Sequence, residues 1–479
     1  MKKLLLIVFC FICFFNFAQK KQKDYSEAIK LIEVWLDAQK DYEKLPGITA
    51  SIVSDQDLIW SGAFGMSNIE ENVKANTETL CSICSISKLF TSIAIMKLYD
   101  EGKLRLDDSV TDILPWYNLE QQFVDSGPIT IRSLLSHSSG LPRENAFSHW
   151  NGPNFSFPTK DQIKSMLANQ KTLYPASTYY QYSNLALTLL GYIVEELSDE
   201  PFEEYVMKNI IAPIGLSNTT PTMPRELHGK ELAIGYSVLS RKGERNKMNF
   251  FEANGVNAAA GFASNVIDLA KFASWQFRLL DTTATEILKP STLKNMHNVH
   301  WINSDWTGTR GLGFGVYKDS KGEKWVGHGG YCPGYQTIFR MHINSKFAYT
   351  VMINSNGVSP NKYVKGMYGL IKKVKSVIND ESNTNKKDLS EYTGYYKMDV
   401  LDETYISTWE GKLAMLNLPS NNPASSMVLY KHIEGDIFRR IRSNNELGES
   451  LSFRRGSDGK VVSMMVFENY IYTKTKNTN

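Results

Sequence analysis

Cysteine is scarce in this sequence. Five occur in 479 residues, and two of them, Cys10 and Cys13, lie in an apolar N-terminal run. The other three, Cys81, Cys84 and Cys332, are an odd number, which does not describe a disulfide scaffold. Past the N-terminal run there is one C-x-x-C, Cys81 to Cys84, with no second to pair with it and no H-x-x-x-H, so no metal centre is expected and no cofactor is implied. An excess of one charge is also missing, with 53 Lys and Arg against 50 Asp and Glu. Without a basic run or an aromatic-basic stripe, nucleic acid is not an expected partner. Past the N-terminal run, no apolar segment reaches the roughly 18 residues of a membrane span. No internal repeat is found.

What is there begins with MKKLLLIVFCFICFFNFAQ. Lys2 and Lys3 precede an apolar run from Leu4 to Phe15, and cleavage after Ala18 would complete a signal peptide over residues 1–18. The expectation is an exported protein, periplasmic or extracellular, with no transmembrane segment in the mature chain. Removing Lys2 and Lys3 leaves 51 basic against 50 acidic residues, a nearly neutral mature chain. Its length favours two or three domains.

Residues 25–44 carry apolar side chains at Ile29, Leu31, Ile32, Trp35 and Leu36, the spacing of an amphipathic helix. ITASIVSDQDLIWSGAFGMSN follows as a strand hairpin. Helical patterns occupy 85–101, 129–137, 160–170 and 183–198. From 311 the pattern returns to strands: GLGFGVY, KWVGHGG, QTIFRMHI and FAYTVMIN. A last helix is expected over 361–378. Strands open and close this part and helices fill its middle. The expected fold class is therefore α/β (α+β): an antiparallel sheet flanked by helices, with an inserted helical lobe, over residues 19–378. NDESNTNKKD, residues 379–388, has the composition of a linker. Residues 389–479 hold short strands with turns at EG, GD and DG, the pattern of an all-β meander or small barrel.

Three short clusters could carry chemistry. In CSICSISKLF, Ser85 and Lys88 stand three apart at the start of a helical pattern, so they share a face one turn apart. Burial and the positive end of a helix both disfavour an ammonium, which would let Lys88 take a proton from the Ser85 hydroxyl. Alone, the spacing says little: Ser291/Lys294, Ser359/Lys362 and Ser457/Lys460 share it. Tyr182-Ser183-Asn184 is the only Y-x-N, at the entry to a helix. A tyrosine there beside a cation would have a lowered pKa and could relay a proton. The plainer alternative is an N-cap beside a core tyrosine. His328-Gly329-Gly330 is the only H-x-G, in a strand whose glycines allow close approach of a ligand backbone. A lone strand histidine is more often structural.

Taken in order, S-x-x-K, Y-x-N and H-x-G resemble the signature of the serine β-lactamase and penicillin-binding-protein superfamily. The resemblance is greatest to the branch of class C β-lactamases, D-alanyl-D-alanine carboxypeptidases, D-aminopeptidases and related esterases. LCSICSISKLFTSIAIMKLYDEGKLRLDDSV, ITIRSLLSHSSGLP, NAAAGFASNVIDLAKF and GLGFGVY resemble further segments of it, over about residues 25–378. The C-terminal unit resembles the lipocalin-like tail of some members. The resemblance implies Ser85 as the acylated nucleophile and Lys88 with Tyr182 as a proton relay. Asn184 would contact the substrate amide or the relay. Backbone N–H groups of Ser85 and of Tyr331, the residue after Gly330, would form the oxyanion hole. His328 stands where the main β-lactamases carry a lysine that holds a substrate carboxylate, which implies weaker anchoring of a carboxylate by this residue and favours peptide or ester substrates over efficient β-lactam turnover. Cys84 stands where members commonly carry Gly or Ala.

The function expected is an exported serine hydrolase acting on small peptides, amides, esters or β-lactams, with a small-molecule or peptide substrate that could be cell-wall derived. A second reading is a penicillin-binding sensor that is acylated with little turnover. A third, a thiol oxidoreductase using Cys81 and Cys84, lacks a βαβ context. Those two cysteines are expected as small buried residues, or as a minor disulfide.

Overall fold

A computed structural model describes residues 23–375 and 387–475. The signal-peptide expectation and most of the 379–388 linker lie outside the described residues. The framework is a seven-stranded, wholly antiparallel sheet. Its order is Val73–Lys74, Asp57–Asn68, Gly47–Ser54, Phe347–Ile353, Tyr335–His342, Lys324–Cys332 and Gly315–Lys318. The first long strand therefore pairs with the last, Ile52 opposite Tyr349, and the intervening helices form an excursion from one sheet.

Alternation along the strands separates two cores. Phe339, Met341 and Met352 face the helices Ser87–Asp100 and Val266–Asp281. Ile338, Val351 and Ile353 face the helices Ser26–Tyr42 and Asn361–Lys373. The last helix is amphipathic, burying Tyr363, Val364, Met367, Leu370 and Ile371 at helical spacing. Helix Ser87–Asp100 differs, because it is buried on nearly every side from Ser87 to Leu98. Its polar groups are met inside: Thr91 donates to Ala258 O at 2.6 Å and Ser92 to Lys88 O at 2.7 Å. A helix wrapped in this way holds its N-terminus in a fixed place, and the turn that leads into it carries Ser85.

Two elements are shorter than the sequence pattern suggests. The helix expected at 129–137 runs only over Ile131–Leu135. A reciprocal capping box between Thr130 and Ser133 starts it, and His137 leaves it at φ 57°. GLGFGVY forms a strand only at Gly315–Lys318. Before that, Leu312 N bonds Met296 O and Gly313 N bonds Leu135 O, which ties the segment to the helical lobe instead.

The C-terminal unit is a closed eight-stranded antiparallel barrel from Gly394–Met398 to Tyr470–Lys474. Short hairpin turns join most of its strands. At one, Glu410 and Gly411 both have positive φ, 51° and 73°, as a two-residue turn requires. Side chains including Tyr396, Phe438, Leu451 and Phe453 fill the barrel. Tyr405, Trp409 and Leu416 join the core of the Ser26–Tyr42 helix, where Trp35 Nε1 donates to Ser420 O at 2.7 Å and Ser420 N to Gln39 Oε1 at 2.9 Å. The barrel thus docks on the helices Ser26–Tyr42 and Asn361–Lys373, which cover the sheet face opposite the Ser85 helix.

Candidate active site

Ser85 lies in a short 3-10 turn, Cys84–Ile86, that runs into helix Ser87–Asp100. Cys84 is held at φ 51°, a conformation unusual for a side chain with a Cβ. Ser87 pins the turn: its hydroxyl donates to Cys84 O at 2.5 Å and accepts from Phe262 N at 3.1 Å. This leaves the Ser85 side chain partly exposed over a buried helix start.

Lys88 is fully buried. Its Nζ donates to Ser85 Oγ at 3.0 Å and to Ala259 O at 2.6 Å. Burial is the main reason its amine is pushed down to about 7; Glu144 opposes the change and Arg143 adds to it. Near neutral pH a large fraction of Lys88 is a free amine hydrogen-bonded to the serine.

Tyr182 arrives from the irregular segment before helix Asn184–Ser198, which Ser183 caps by accepting from Ala186 N at 2.9 Å. Its ring is surrounded by Lys88 Nζ at 5.1 Å, Arg143 at 4.9 Å and the His137 ring at 4.4 Å. Its hydroxyl is near enough to Ser85 for that neighbour to favour the phenolate. The expectation of a lowered pKa is corrected here. Burial dominates and pushes the phenol above its ordinary value, outweighing Ser85 and Arg143. Tyr182 is therefore a protonated phenol at neutral pH. Asn184 Nδ2 donates to Glu144 Oε1 at 2.6 Å, while its Oδ1 is buried with no partner. Burial alone would raise Glu144; contacts with His149, Trp150 and Asn184 outweigh it and keep the carboxylate ionised.

The strand Lys324–Cys332 completes the site. Its outer neighbour pairs only with Lys324–Gly327, so His328–Cys332 is a free edge directed at the Ser85 turn. Close approach there requires Gly330. A Cβ at this position would stand 2.2 Å from Thr337 Oγ1 and 2.4 Å from Ile83 O, two residues before Ser85. Tyr331 is 62% exposed beside Ser85. The cysteines also differ from expectation. Cys84 is bonded to Cys332, 248 residues away, and Cys81 is a buried free thiol. The C-x-x-C spacing suggested a local pair or none. The actual bond joins the residue before Ser85 to the residue after Tyr331. His328 Nδ1 is 2.6 Å from Gly329 O, which assigns the proton to Nδ1 and leaves Nε2 as an acceptor. Burial first, then Lys88, push this imidazole down to about 3, so it is neutral at physiological pH.

All seven sequence-derived residues, Ser85, Lys88, Tyr182, Asn184, His328, Gly330 and Tyr331, line or adjoin one groove. A cleft of about 440 Å³ on one side is bounded by Ser85, Asn184, Trp150, Met248 and Tyr331. A cavity of about 260 Å³ on the other is bounded by His137, Tyr182, His328, Arg310 and Arg340. The sequence reading gave no role to His137, Arg143 or Glu144. His137 accepts from Ser183 N at 3.2 Å, and burial holds it well below its ordinary value, hence neutral. The concentration of polar residues straight after a five-residue helix, SHSSGLPRE, was the available signal. One group among the described residues could ligate a metal, Asp319, Glu323 and His342. It lies outside this groove, and Glu323 already accepts from Lys372, His342 and Tyr368.

A family model described as Beta-lactamase matches residues 35–373. Beta-lactamase-like protein 2 of Dictyostelium discoideum is 28% identical over 236 residues, 46% of this chain and 43% of that protein. An inferred D-alanyl-D-alanine carboxypeptidase of Escherichia coli is 28% identical over 274 residues, 51% of this chain and 62% of that protein. The matches thus span about half the length of these curated relatives. Among solved structures, an octameric penicillin-binding protein homologue from Pyrococcus abyssi is 25% identical, with a TM-score of 0.63 over 93% of this chain and 100% of that one.

Proposed function

Since the chain belongs to the β-lactamase family and is a serine hydrolase of that type, we propose that it is an exported enzyme that cleaves small peptides, amides or esters through an acyl-enzyme on Ser85, a D-alanyl-D-alanine carboxypeptidase, D-aminopeptidase or esterase in type. The observation that carries this reading is the 3.0 Å contact between Ser85 Oγ and a buried Lys88 whose amine sits at about 7. The neutral amine accepts the serine proton as Oγ bonds to the substrate carbonyl carbon. Negative charge moves to the carbonyl oxygen, which the backbone N–H groups of Ser85 and Tyr331 receive. Tyr182, protonated and in contact with Ser85, together with the newly charged Lys88, returns a proton to the leaving nitrogen or oxygen as its bond to carbon breaks. Water then releases the acyl group over the same relay. Asn184, with its free Oδ1, and the glycine-cleared edge at Gly330 suit an amide laid along the strand.

A neutral His328 lacks the charge of the family lysine, which supports peptide and ester substrates over β-lactams. The lysine-like role is not available to it at neutral pH. The test is incubation of the purified chain with a chromogenic short-chain ester and, separately, a fluorescent penicillin, beside Ser85→Ala. Ester turnover that vanishes in Ser85→Ala is expected. Turnover that survives Ser85→Ala contradicts the assignment, and a stable penicillin adduct with no product from any substrate points to a sensor instead.

A further inference from the structure

The cavity beside Tyr182 contains two cations and no acid. Arg310 and Arg340 both line it, and no Asp or Glu does. Among the described residues neither arginine forms an ion pair. Arg310 donates through Nε to Tyr180 OH at 3.1 Å and through one terminal nitrogen to Thr309 O at 2.7 Å, with its guanidinium 4.5 Å above the Tyr180 ring. Arg340 lies 5.0 Å over the Tyr317 ring, and its Nε is buried without a partner. Both arginines are partly exposed, and two like charges facing one cavity without an acid give it a positive field that an anion would balance.

The sheet builds an opening for Arg340. Alternation puts it on the face of Ile338, away from the Ser85 helix, because Phe339 and Met341 occupy the other face. Its neighbours across the sheet are Gly327 and then Gly315. These two positions have no side chains, and the arginine reaches the cavity behind the site. Tyr182 lines the same cavity while touching Ser85, so the cavity is on the side from which the leaving group receives its proton.

Resting on the serine-hydrolase reading above, we propose that Arg310 and Arg340 form a two-charge anion subsite for the leaving group, and that the preferred substrates end in a residue carrying two carboxylates, aspartate or glutamate. One carboxylate would balance only one of the two guanidiniums; the α- and side-chain carboxylates of a terminal acidic residue balance both. Arginine forks suit this pairing, each taking a carboxylate bidentately. The charge missing from His328 is thereby supplied by two residues outside the H-G-G motif.

The test uses the full chain and acyl-dipeptides differing only in the last residue, Ala or Glu, in both D and L forms. A charge-assisted hydrogen-bonded pair corresponds to roughly tenfold in kcat/KM for the Glu ending. Arg310→Gln and Arg340→Gln should each bring the Glu/Ala ratio towards one. Calorimetric titration with glutarate and with butyrate tests the subsite without turnover. Glutarate should bind the wild-type chain more tightly than butyrate and lose that advantage in both variants. An active enzyme with a Glu/Ala ratio of one or less, or glutarate no tighter than butyrate, overturns the subsite and leaves the serine-hydrolase reading standing. Absence of any acylation at Ser85 refutes that reading instead, and glutarate titration still decides the subsite.

Discussion

Replacing Lys88 with methionine should abolish activity and make the protein more stable. Lys88 is fully buried and its pKa lies at about 7, against 10.5 for a free lysine. At 1.36 kcal/mol per pKa unit, that difference is a destabilisation of about 5 kcal/mol at neutral pH. Methionine has a similar length, tolerates an apolar surrounding and carries no charge to desolvate. The substitution also removes two hydrogen bonds, to Ser85 Oγ and Ala259 O. The first costs about 1 kcal/mol, and leaving the buried carbonyl unmet costs about 1–3 kcal/mol. The net expectation is a gain of roughly 1–3 kcal/mol, seen as a rise of a few degrees in Tm. Its pH dependence has a definite sign. Between about 7 and 10.5 the unfolded chain holds a proton on Lys88 that the folded chain has released, so wild-type stability rises with pH. The advantage of Lys88→Met should be fullest at and below pH 7 and should shrink towards pH 10. Thermal melts of both proteins at pH 6.5, 8 and 9.5 measure this. A Lys88→Met protein that is less stable at pH 6.5, or whose advantage is constant across the range, refutes the account of a base held neutral by burial.

Other consequences follow from the same contacts. The rate of Ser85 acylation should rise with pH through a single limb near 7 as Lys88 loses its proton, measured with a chromogenic ester between pH 5 and 9. His328, already neutral above about 3, should add no second limb, so His328→Gln should alter rate without moving that limb. Gly330→Ala places a methyl 2.2 Å from Thr337 Oγ1 and 2.4 Å from Ile83 O; overpacking of about 1–3 kcal/mol and a large loss of kcat are expected, and a normal melt with normal kcat would contradict the close approach. Reduction of the Cys84–Cys332 bond, or Cys84→Ala with Cys332→Ala, should lower kcat more than it raises KM, because the bond ties the Ser85 turn to the Tyr331 edge. Intact mass before and after a dithiol reductant and alkylation establishes whether the bond is present.

Much of the fold was legible because hydrophobic period and turn residues agree with it. The return of Phe347–Ile353 to pair with Gly47–Ser54 followed from strands at both ends of a helical middle, and the barrel hairpins followed from EG, GD and DG turns. The Ser85, Tyr182 and His328 clusters were legible because each motif occurs in a fixed order. What lay beyond the sequence was contact between distant segments. Nothing near Cys84 points to Cys332, since the bond depends on a strand edge meeting a helix start 248 residues earlier. Burial set the pKa of Tyr182 in the direction opposite to the nearby cation, and the extent of burial is a tertiary property. Arg310 and Arg340 come from unrelated positions and line one cavity, where Gly315 and Gly327 leave room.

The most direct measurement is the position of the covalent intermediate. The protein is mixed with an activated ester, quenched in acid within its first turnovers, and digested, and the acylated peptide is sequenced by mass spectrometry. The expected result is one acyl group on Ser85, within the peptide containing CSICSISK, absent in Ser85→Ala and slowed by orders of magnitude in Lys88→Met. Acylation of any other residue during turnover, or turnover without a covalent intermediate, would contradict the central claim.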